Sequence, residues 1–361
     1  MAKDKGKNAK IIEDDDLTLG RFGKTLKMGL VGLPNVGKST TFNVLSQLNV
    51  PAENFPFCTK EPHEARVAVP DARFDKLCEL YNPKSRVPAF LCVWDIAGLI
   101  RGAHEGAGLG NAFLSNIQSV DGIFHVVRAF DDPSIIHTEA EVNPVEDLAI
   151  ISNELVQKDI QAINNRMPEL NKLINKSNDK IASLEKEVLE KALDYLNEGK
   201  WLKDQKWTAP EIKWLNQHLF MTSKPVIYLA NIGDTDYQKQ KNKYLPKIKE
   251  WIKKNCPGKM IPYSASYESQ VVKGEIENPK SMVDKIILSG YENLHLQHFF
   301  TPGFGEVKCW TIKKGTKAPQ AAGKIHGDME SGFICADIAG YDDFIESGAS
   351  DTKCKATGNM R

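Results

Sequence analysis

The stretch Gly32-Leu-Pro-Asn-Val-Gly-Lys-Ser39 decides how this chain folds. It follows a short apolar segment, residues 26–31, and precedes a predicted helix over residues 40–48. A strand, a glycine-rich loop and a helix in this order are typical of a P-loop, which surrounds phosphate with backbone N–H groups at a helix N-terminus. An ordinary glycine turn would not explain why lysine and serine directly follow the second glycine. The sequence therefore predicts a site for a nucleoside triphosphate.

The residues of this loop have separate expected roles. Gly32 and Gly37 allow the backbone to curl around phosphate oxygens. Lys38 is expected to contact the β- and γ-phosphates and to support catalysis, and the hydroxyl of Ser39 is expected to bind Mg²⁺. The other predicted nucleotide-binding residues of the loop are Asn35, Val36 and Thr40.

Composition limits the function further. At 361 residues, two or three domains are expected, and the 47 basic residues balance the 47 acidic ones, so no net charge draws the whole protein to nucleic acid or membrane. The 7 cysteines are scattered without a C-x-x-C pair, which favours free thiols in a reducing cytoplasm over disulfides or a zinc site. No apolar stretch approaches the ~18 residues of a membrane span, so we expect no membrane partner.

Four further short apolar segments predict buried strands: residues 90–94, 123–127, 226–230 and 260–263. Together with the segment before the P-loop, they predict an α/β domain with a doubly wound, mainly parallel sheet that binds its ligand at the carboxyl ends of the strands. We assign residues 23–142 and 220–302 to this P-loop domain, and residues 1–22 to a flexible tail.

A charged helical region, residues 143–219, interrupts this domain. Its apolar residues recur every three or four positions in two narrow stripes, on either side of a predicted turn at residues 176–178. This spacing predicts an antiparallel coiled-coil hairpin. The first stripe comprises Val156, Ile160, Ile163, Met167, Leu170 and Ile174, and the second comprises Ile181, Leu184, Val188, Ala192 and Tyr195.

The sequence pattern changes again after residue 302. Residues 306–312 and 333–338 are predicted strands, separated by turns rich in lysine and glycine. We therefore expect a small α+β module over residues 303–361.

Further parts of the predicted nucleotide site lie beyond the P-loop. Asp95 follows a predicted strand, where its carboxylate can hold Mg²⁺ through water, and the N–H of Gly98 can meet the γ-phosphate. Thr59 lies in the loop between the two motifs, and its hydroxyl can complete the Mg²⁺ shell only while the γ-phosphate is present. This loop would then act as a nucleotide-dependent switch.

The base is expected to contact the ends of two later strands. Asn231-Ile-Gly-Asp234 stands where GTP-binding proteins of this fold carry N-K-x-D, with Ile232 in place of the lysine. The acid of that motif accepts from guanine N1–H and N2–H, so Asp234 leaves guanine open as the base. Ser264 and Ala265 belong to the last predicted base-contacting loop.

Several strings resemble the Obg-like ATPases, the YchF group of the Obg family of P-loop proteins. They are the P-loop itself, Asn54-Phe-Pro-Phe-Cys-Thr59, Asp95-Ile-Ala-Gly-Leu99, Gly102-Ala-His-Glu-Gly-Ala-Gly-Leu-Gly-Asn-Ala-Phe-Leu114 and Trp310-Thr-Ile-Lys-Lys-Gly-Thr-Lys-Ala-Pro-Gln-Ala-Ala-Gly-Lys-Ile-His326. The resemblance implies a G domain, an inserted coiled coil and a C-terminal TGS domain. It also implies slow hydrolysis of ATP in preference to GTP, a cytoplasmic location and association with ribosomes or translation, through the large subunit or its RNA. We expect a monomer.

The chain departs from the family pattern in two places. The family has N-x-x-E at the base loop, whereas this chain has Asp234, and the chain ends before the final strand of the TGS domain. Leu99 takes the place of the glutamine that orients water in Ras-like proteins, although an apolar residue here is normal in the family. Catalysis would then rest on Mg²⁺, Lys38 and a K⁺ ion bound near Asn35, since related P-loops with asparagine use K⁺. His104 is a candidate for orienting water.

Three functions therefore stay open. They are a nucleotide-switched ATPase acting on translation, a GTPase in which Asp234 reads guanine, and a non-hydrolysing RNA- or ribosome-binding protein that uses nucleotide only as a structural ligand. Eight lysines crowd residues 239–259, which is typical of a solvated helix face. The resemblance favours a contact with ribosomal RNA for the same lysines.

Overall fold

Two β-sheets organise the residues that the structure describes. The computed structural model describes residues 19–20, 26–48, 63–96, 98, 109–135 and 141–361. The strands are β1 (Lys27–Val31), β2 (Glu64–Ala68), β3 (Ser85–Val87), β4 (Phe90–Asp95), β5 (Gly122–Ala129), β6 (Val226–Ile232), β7 (Lys259–Tyr263), β8 (Leu296–Thr301) and β9 (Glu306–Lys313). The helices are α1 (Lys38–Gln47), α2 (Ala72–Tyr81), α3 (Leu109–Ser119), α4 (Pro144–Ser177), α5 (Lys180–Asn197), α6 (Ala209–His218), α7 (Asp234–Lys239), α8 (Leu245–Asn255), α9 (Ala265–Val272), α10 (Val283–Asn293), α11 (Ala318–Ile325), α12 (Gly327–Ser331), α13 (Tyr341–Glu346) and α14 (Asp351–Ala356).

The larger sheet has the strand order β2-β4-β1-β5-β6-β7. All its pairings are parallel except that of β2 with β4. The prediction of a doubly wound, mainly parallel sheet is confirmed, because β1, β4, β5, β6 and β7 coincide with the five predicted segments. The central strands β5 and β6 are buried along their whole length, as expected for strands covered on both faces.

The antiparallel edge strand β2 was not predicted. Its residues alternate between buried and half-buried positions, so it lacks the continuous apolar run that marks the central strands. The outward positions carry Glu64 and Arg66, which form an ion pair at 2.9 Å. A strand with two charges in five residues looks like a loop when only apolar runs are sought.

The smaller sheet has the order β3-β9-β8. The strand predicted at residues 306–312 is confirmed as β9, but the strand predicted at residues 333–338 is wrong, since that segment forms no strand. One edge of β9 is paired with β3 and the other with β8, so no edge of β9 is left for a later segment. β3 and β8 both precede residue 302, where we predict the start of the C-terminal module.

The described residues divide into two compact units. One comprises residues 19–20 and Val156–Lys224, and the other comprises the remaining described residues. The helical unit therefore starts inside α4, whereas the predicted insertion spans residues 143–219. No helix in the described parts of the chain is long and apolar enough to cross a membrane.

The helical unit contains the predicted hairpin. The helices α4 and α5 are separated by Asn178, which has a positive φ of 50°, and by Asp179, whose carboxylate accepts from two N–H groups at the start of α5. Helix α4 continues through Ser177, so the turn is shorter than the predicted residues 176–178. In the first stripe Val156, Ile163 and Leu170 are buried, as predicted.

The predicted stripe on the second helix is partly wrong. Val188 and Ala192 are buried, as predicted, but Ile181 and Leu184 are exposed. The buried face also includes Ala182, Glu185 and Leu189. Glu185 belongs to this face because Arg166 donates two hydrogen bonds to its carboxylate, at 2.8 and 3.1 Å. A search for apolar spacing does not find a face that contains a paired carboxylate.

Candidate functional site

A cavity of about 660 Å³ lies at the carboxyl ends of β1, β5, β6 and β7. Four segments line it: the P-loop, the loop of residues 130–135 after β5, residues 231–234 at the end of β6, and residues 264–266 after β7. These are the strand ends at which a doubly wound sheet binds its ligand. The cavity brings together most of the predicted nucleotide-binding residues, namely Asn35, Gly37, Lys38, Ser39, Thr40, Asn231, Ile232, Ser264 and Ala265.

The two P-loop glycines are required by close contacts. Gly37 has a left-handed φ of 101°, and a side chain here would collide with the amide of Asn231. A Cβ atom at Gly32 would lie 2.5 Å from the carbonyl oxygen of Val126. Val36, also predicted as a nucleotide-binding residue, has a buried side chain and does not line the cavity.

Lys38 is a buried cation at the phosphate end of the cavity. Its Nζ donates to the carbonyl oxygen of Leu33 at 2.7 Å. Burial lowers the pKa of Lys38 to about 8, against the opposing effect of the Asp95 carboxylate. A Cβ atom at Gly98 would lie 3.1 Å from Nζ, so Gly98 lies beside the lysine.

Ser39 and Asp95 provide an oxygen donor set that suits Mg²⁺. The Ser39 hydroxyl donates to Asp95 Oδ2 across 3.5 Å. Burial raises the pKa of Asp95, and the nearby Lys38 ammonium opposes that rise. Mg²⁺ takes hard oxygen ligands and keeps several waters, so one hydroxyl and one carboxylate fit its requirements.

Asn231 joins three of the segments that line the cavity. Its Nδ2 donates to the carbonyl oxygen of Val36 at 2.9 Å, and its Oδ1 accepts from the N–H of Ala265, also at 2.9 Å. The side chain is buried and thereby holds the P-loop against the base loops. Asn231 was predicted as a nucleotide contact, and the structure shows this positioning role in addition.

The carboxylate of Asp234 is occupied by neighbouring side chains. Oδ1 accepts from the Ser264 hydroxyl at 2.5 Å, and Oδ2 accepts from Ser266 Oγ at 3.1 Å and from Gln270 Nε2 at 2.9 Å. Ile232 is buried in the sheet, where it pairs with Ala129. Asp234 therefore lines the cavity with a carboxylate whose two oxygens already accept hydrogen bonds.

Sequence reasoning missed the loop after β5. Phe130, Asp131, Asp132 and Ile135 line the cavity, although none belongs to a recognised motif. The one available signal was their position, directly after a predicted buried strand and so at the ligand-binding edge of the sheet. Thr59, Leu99 and His104 lie outside the described residues.

Comparisons with known proteins agree with this architecture. Residues 27–183 match a family described as 50S ribosome-binding GTPase, and residues 296–361 match the YchF GTPase C-terminal family, described as a protein of unknown function. The chain is 51% identical to Obg-like ATPase 1 of Oryza sativa subsp. indica over 352 residues, covering 95% of this chain and 89% of the relative. It is 49% identical to Obg-like ATPase 1 of Homo sapiens, with the same coverage of both chains. The solved structure of the Schizosaccharomyces pombe YchF GTPase superposes with a TM-score of 0.86 at 46% identity, covering 95% of each chain.

Proposed function

Because this chain belongs to the family of Obg-like ATPases, enzymes that hydrolyse nucleoside triphosphates at a P-loop, we propose that its substrate is ATP rather than GTP. The observation that carries this choice is the state of Asp234. Both of its oxygens already accept hydrogen bonds, from Ser264, Ser266 and Gln270. To read guanine N1–H and N2–H, the carboxylate would have to give up partners.

Adenine does not need this carboxylate. Its N1 carries a lone pair, which a carboxylate would repel, so adenine must be read by other groups. Backbone donors and acceptors near Ile232 are suited to this, since the Ile232 side chain is buried and leaves no lysine stem to hold guanine. The GTPase alternative requires Asp234 to release at least one of its three partners when guanine enters, because five hydrogen bonds would exceed the roughly four lone-pair sites of a carboxylate.

We predict that ATP binds in the micromolar range and at least as tightly as GTP. Replacing Asp234 by alanine should change ATP affinity by less than about fivefold, or roughly 1 kcal/mol, because the carboxylate does not contact the base. Calorimetric titration of both nucleotides against the wild type and Asp234→Ala measures this. Asp234→Asn is the control for shape. A clear preference for GTP that disappears in Asp234→Ala would identify the protein as a GTPase.

We propose slow hydrolysis, in which water attacks the γ-phosphorus and ADP leaves with its β-phosphate oxygen. Ser39, Asp95 and Thr59 would hold Mg²⁺, which when bound neutralises charge on the β- and γ-phosphates. Lys38 adds a second positive charge, and K⁺ near Asn35 would add a third. Leu99 cannot hydrogen-bond to water, so turnover without a partner is slow, and His104 remains our candidate for orienting that water.

We further propose that the protein acts on ribosomes in the cytoplasm, through the large subunit or its RNA. The family description of residues 27–183 names 50S ribosome binding. Lys247, Lys249, Lys253 and Lys254 on α8 are exposed, and none has an ion pair within the described residues. By contrast, Lys243 is paired with Asp131 at 2.6 Å. Exposed lysines without acidic partners are suited to phosphate oxygens of RNA.

Purified ribosomes are expected to bind the protein and to raise its ATP turnover. The double variant Lys253→Glu/Lys254→Glu should bind more weakly, and the slope of log affinity against log salt should fall by about 2, because each phosphate contact contributes about 1. Co-sedimentation at several salt concentrations, with turnover assays on the same samples, measures both effects.

The matched control is Lys280→Glu/Lys285→Glu, which reverses two other exposed lysines of the same unit. An equal loss in the control would show a general charge effect rather than a contact through α8. No ATP turnover with or without ribosomes would favour the reading in which nucleotide is only a structural ligand.

A further inference from the structure

Arg128 is a buried arginine at the base end of the cavity. It lies near the carboxyl end of β5, opposite Asn231 of β6, and only 1% of its surface is exposed. Its guanidinium donates to three backbone carbonyls: Nε to Phe130 at 3.3 Å, Nη1 to Ile135 at 3.1 Å and Nη2 to Asp132 at 3.1 Å. Its Cζ also lies 4.6 Å from the centre of the Phe130 ring.

The hydrogen-bond partners of the buried Arg128 guanidinium indicate its role. Removing an arginine from water is costly, and the cost is usually offset by a carboxylate partner. Within the described residues, the hydrogen bonds of Arg128 go instead to carbonyls of a single loop, residues 130–135. The flat guanidinium presents several donors in a fixed arrangement, so it can set the shape of a loop that contains no helix or strand.

The same loop is also held from its other side. Asn242 Nδ2 donates to the carbonyl oxygen of Ala129 at 2.7 Å, and the Tyr244 hydroxyl donates to Asp131 Oδ1 at 2.6 Å. Phe130 and Ile135, whose carbonyls accept from Arg128, both line the cavity. None of these bonds involves a residue of the P-loop, so the loop of residues 130–135 is fixed independently of the phosphate end.

We propose that Arg128 is the positioning residue for the nucleoside part of the bound nucleotide. It holds the loop of residues 130–135 as a wall of the cavity, with the apolar surfaces of Phe130 and Ile135 facing the space that the base occupies. This inference rests on the proposed function, since it requires nucleotide in this cavity. It adds that affinity is divided between a phosphate end, built by the P-loop, and a nucleoside end that depends on Arg128.

The experiment compares ATP with inorganic tripolyphosphate, which has the phosphates and lacks the nucleoside. In the Arg128→Met variant, ATP affinity should fall by about tenfold or more, equivalent to about 1.4 kcal/mol, while tripolyphosphate affinity stays within about twofold. Arg128→Lys should restore part of the ATP affinity, because an ammonium can still donate to some of the carbonyls. Calorimetric titration of the full-length wild type and both variants with each ligand gives the six affinities.

Two further variants keep the result interpretable. Arg73→Met removes an arginine that also stacks on a ring, Phe300 at 5.3 Å, but does not line the cavity, so neither affinity should change. Tyr244→Phe loosens the loop without emptying a buried site, and should weaken ATP alone by a smaller factor than Arg128→Met.

Equal losses of ATP and tripolyphosphate in Arg128→Lys and Tyr244→Phe would overturn the positioning role, even if Arg128→Met fails to fold. A wild-type protein that binds tripolyphosphate but not ATP would overturn it as well. A wild type that binds neither would instead refute the proposed function itself.

Discussion

The Lys38→Ala variant is expected to lose measurable binding of ATP. Lys38 is the buried cation of the P-loop, and its Nζ is held by the Leu33 carbonyl at 2.7 Å, beside Gly98. Charge-assisted hydrogen bonds contribute about 1.5–3 kcal/mol each, so losing contacts to the β- and γ-phosphates should weaken binding by roughly 100-fold or more. Calorimetric titration with ATP in the presence of Mg²⁺ measures the change.

The matched control is Lys27→Ala. Lys27 also belongs to this unit, but it lies over the Trp94 ring and pairs with Glu64 at the edge of the sheet. Its removal should leave ATP affinity unchanged. If Lys38→Ala bound ATP as tightly as the wild type does, the assignment of residues 32–39 as a phosphate-binding loop would be wrong.

The protonation of Lys38 gives this prediction a second measurement on the wild type. Burial lowers its pKa to about 8 in the free protein. Bound phosphates favour the charged ammonium, so binding above pH 8 must take up a proton. ATP affinity should therefore fall as pH rises above 8, by up to about tenfold per pH unit. Titrations in buffers of different ionisation enthalpy would detect the proton, and a flat profile to pH 9.5 would contradict a lowered pKa.

The proposed phosphate end of the site is easier to recognise in the sequence than the proposed base end, for a physical reason. Phosphate binding needs a glycine-rich turn, a lysine and a hydroxyl close together in the sequence, so the complete motif can be recognised in residues 32–39. The proposed nucleoside wall at residues 130–135 is built from ordinary residues, and the three carbonyl contacts that Arg128 makes with it appear only after folding. Asp234 illustrates the same limit, because its partner Gln270 lies on another element.

Errors in the fold have a similar origin. Apolar runs identify central parallel strands because both faces of such strands are buried. The segment at residues 333–338 has an apolar run but does not join the smaller sheet, since β3 and β8 occupy both edges of β9. Its last residue, Ile338, exchanges backbone hydrogen bonds with Arg361 instead. On α5, the buried position of Glu185 depends on Arg166, which lies on α4. Pairing between distant segments decides such cases, and no local pattern encodes it.

The Asp159→Ala variant is expected to destabilise the helical unit by roughly 3–5 kcal/mol. The Asp159 carboxylate accepts from the N–H of Met221 at 3.0 Å, and from the N–H and the hydroxyl of Thr222 at 2.8 and 2.7 Å. All three residues are buried, so water cannot replace the lost acceptor. Burial raises the pKa of Asp159 to about 6, which leaves the carboxylate largely ionised at neutral pH and able to accept all three bonds. Thermal unfolding, monitored by far-ultraviolet circular dichroism, measures the loss of stability.

Two controls separate this effect from a general loss of charge. Asp194→Ala removes an exposed carboxylate from α5 of the same unit and should change stability by less than about 0.5 kcal/mol. Asp159→Asn keeps the shape of the side chain but turns one acceptor into a donor that faces other donors. It should therefore lose less stability than Asp159→Ala but more than Asp194→Ala. Since Asp159 and its two partner residues lie within Val156–Lys224, ATP affinity should stay unchanged in Asp159→Ala. A destabilisation below about 1 kcal/mol would mean that the freed donors find other partners. A parallel loss of ATP affinity would mean that the nucleotide site depends on the helical unit.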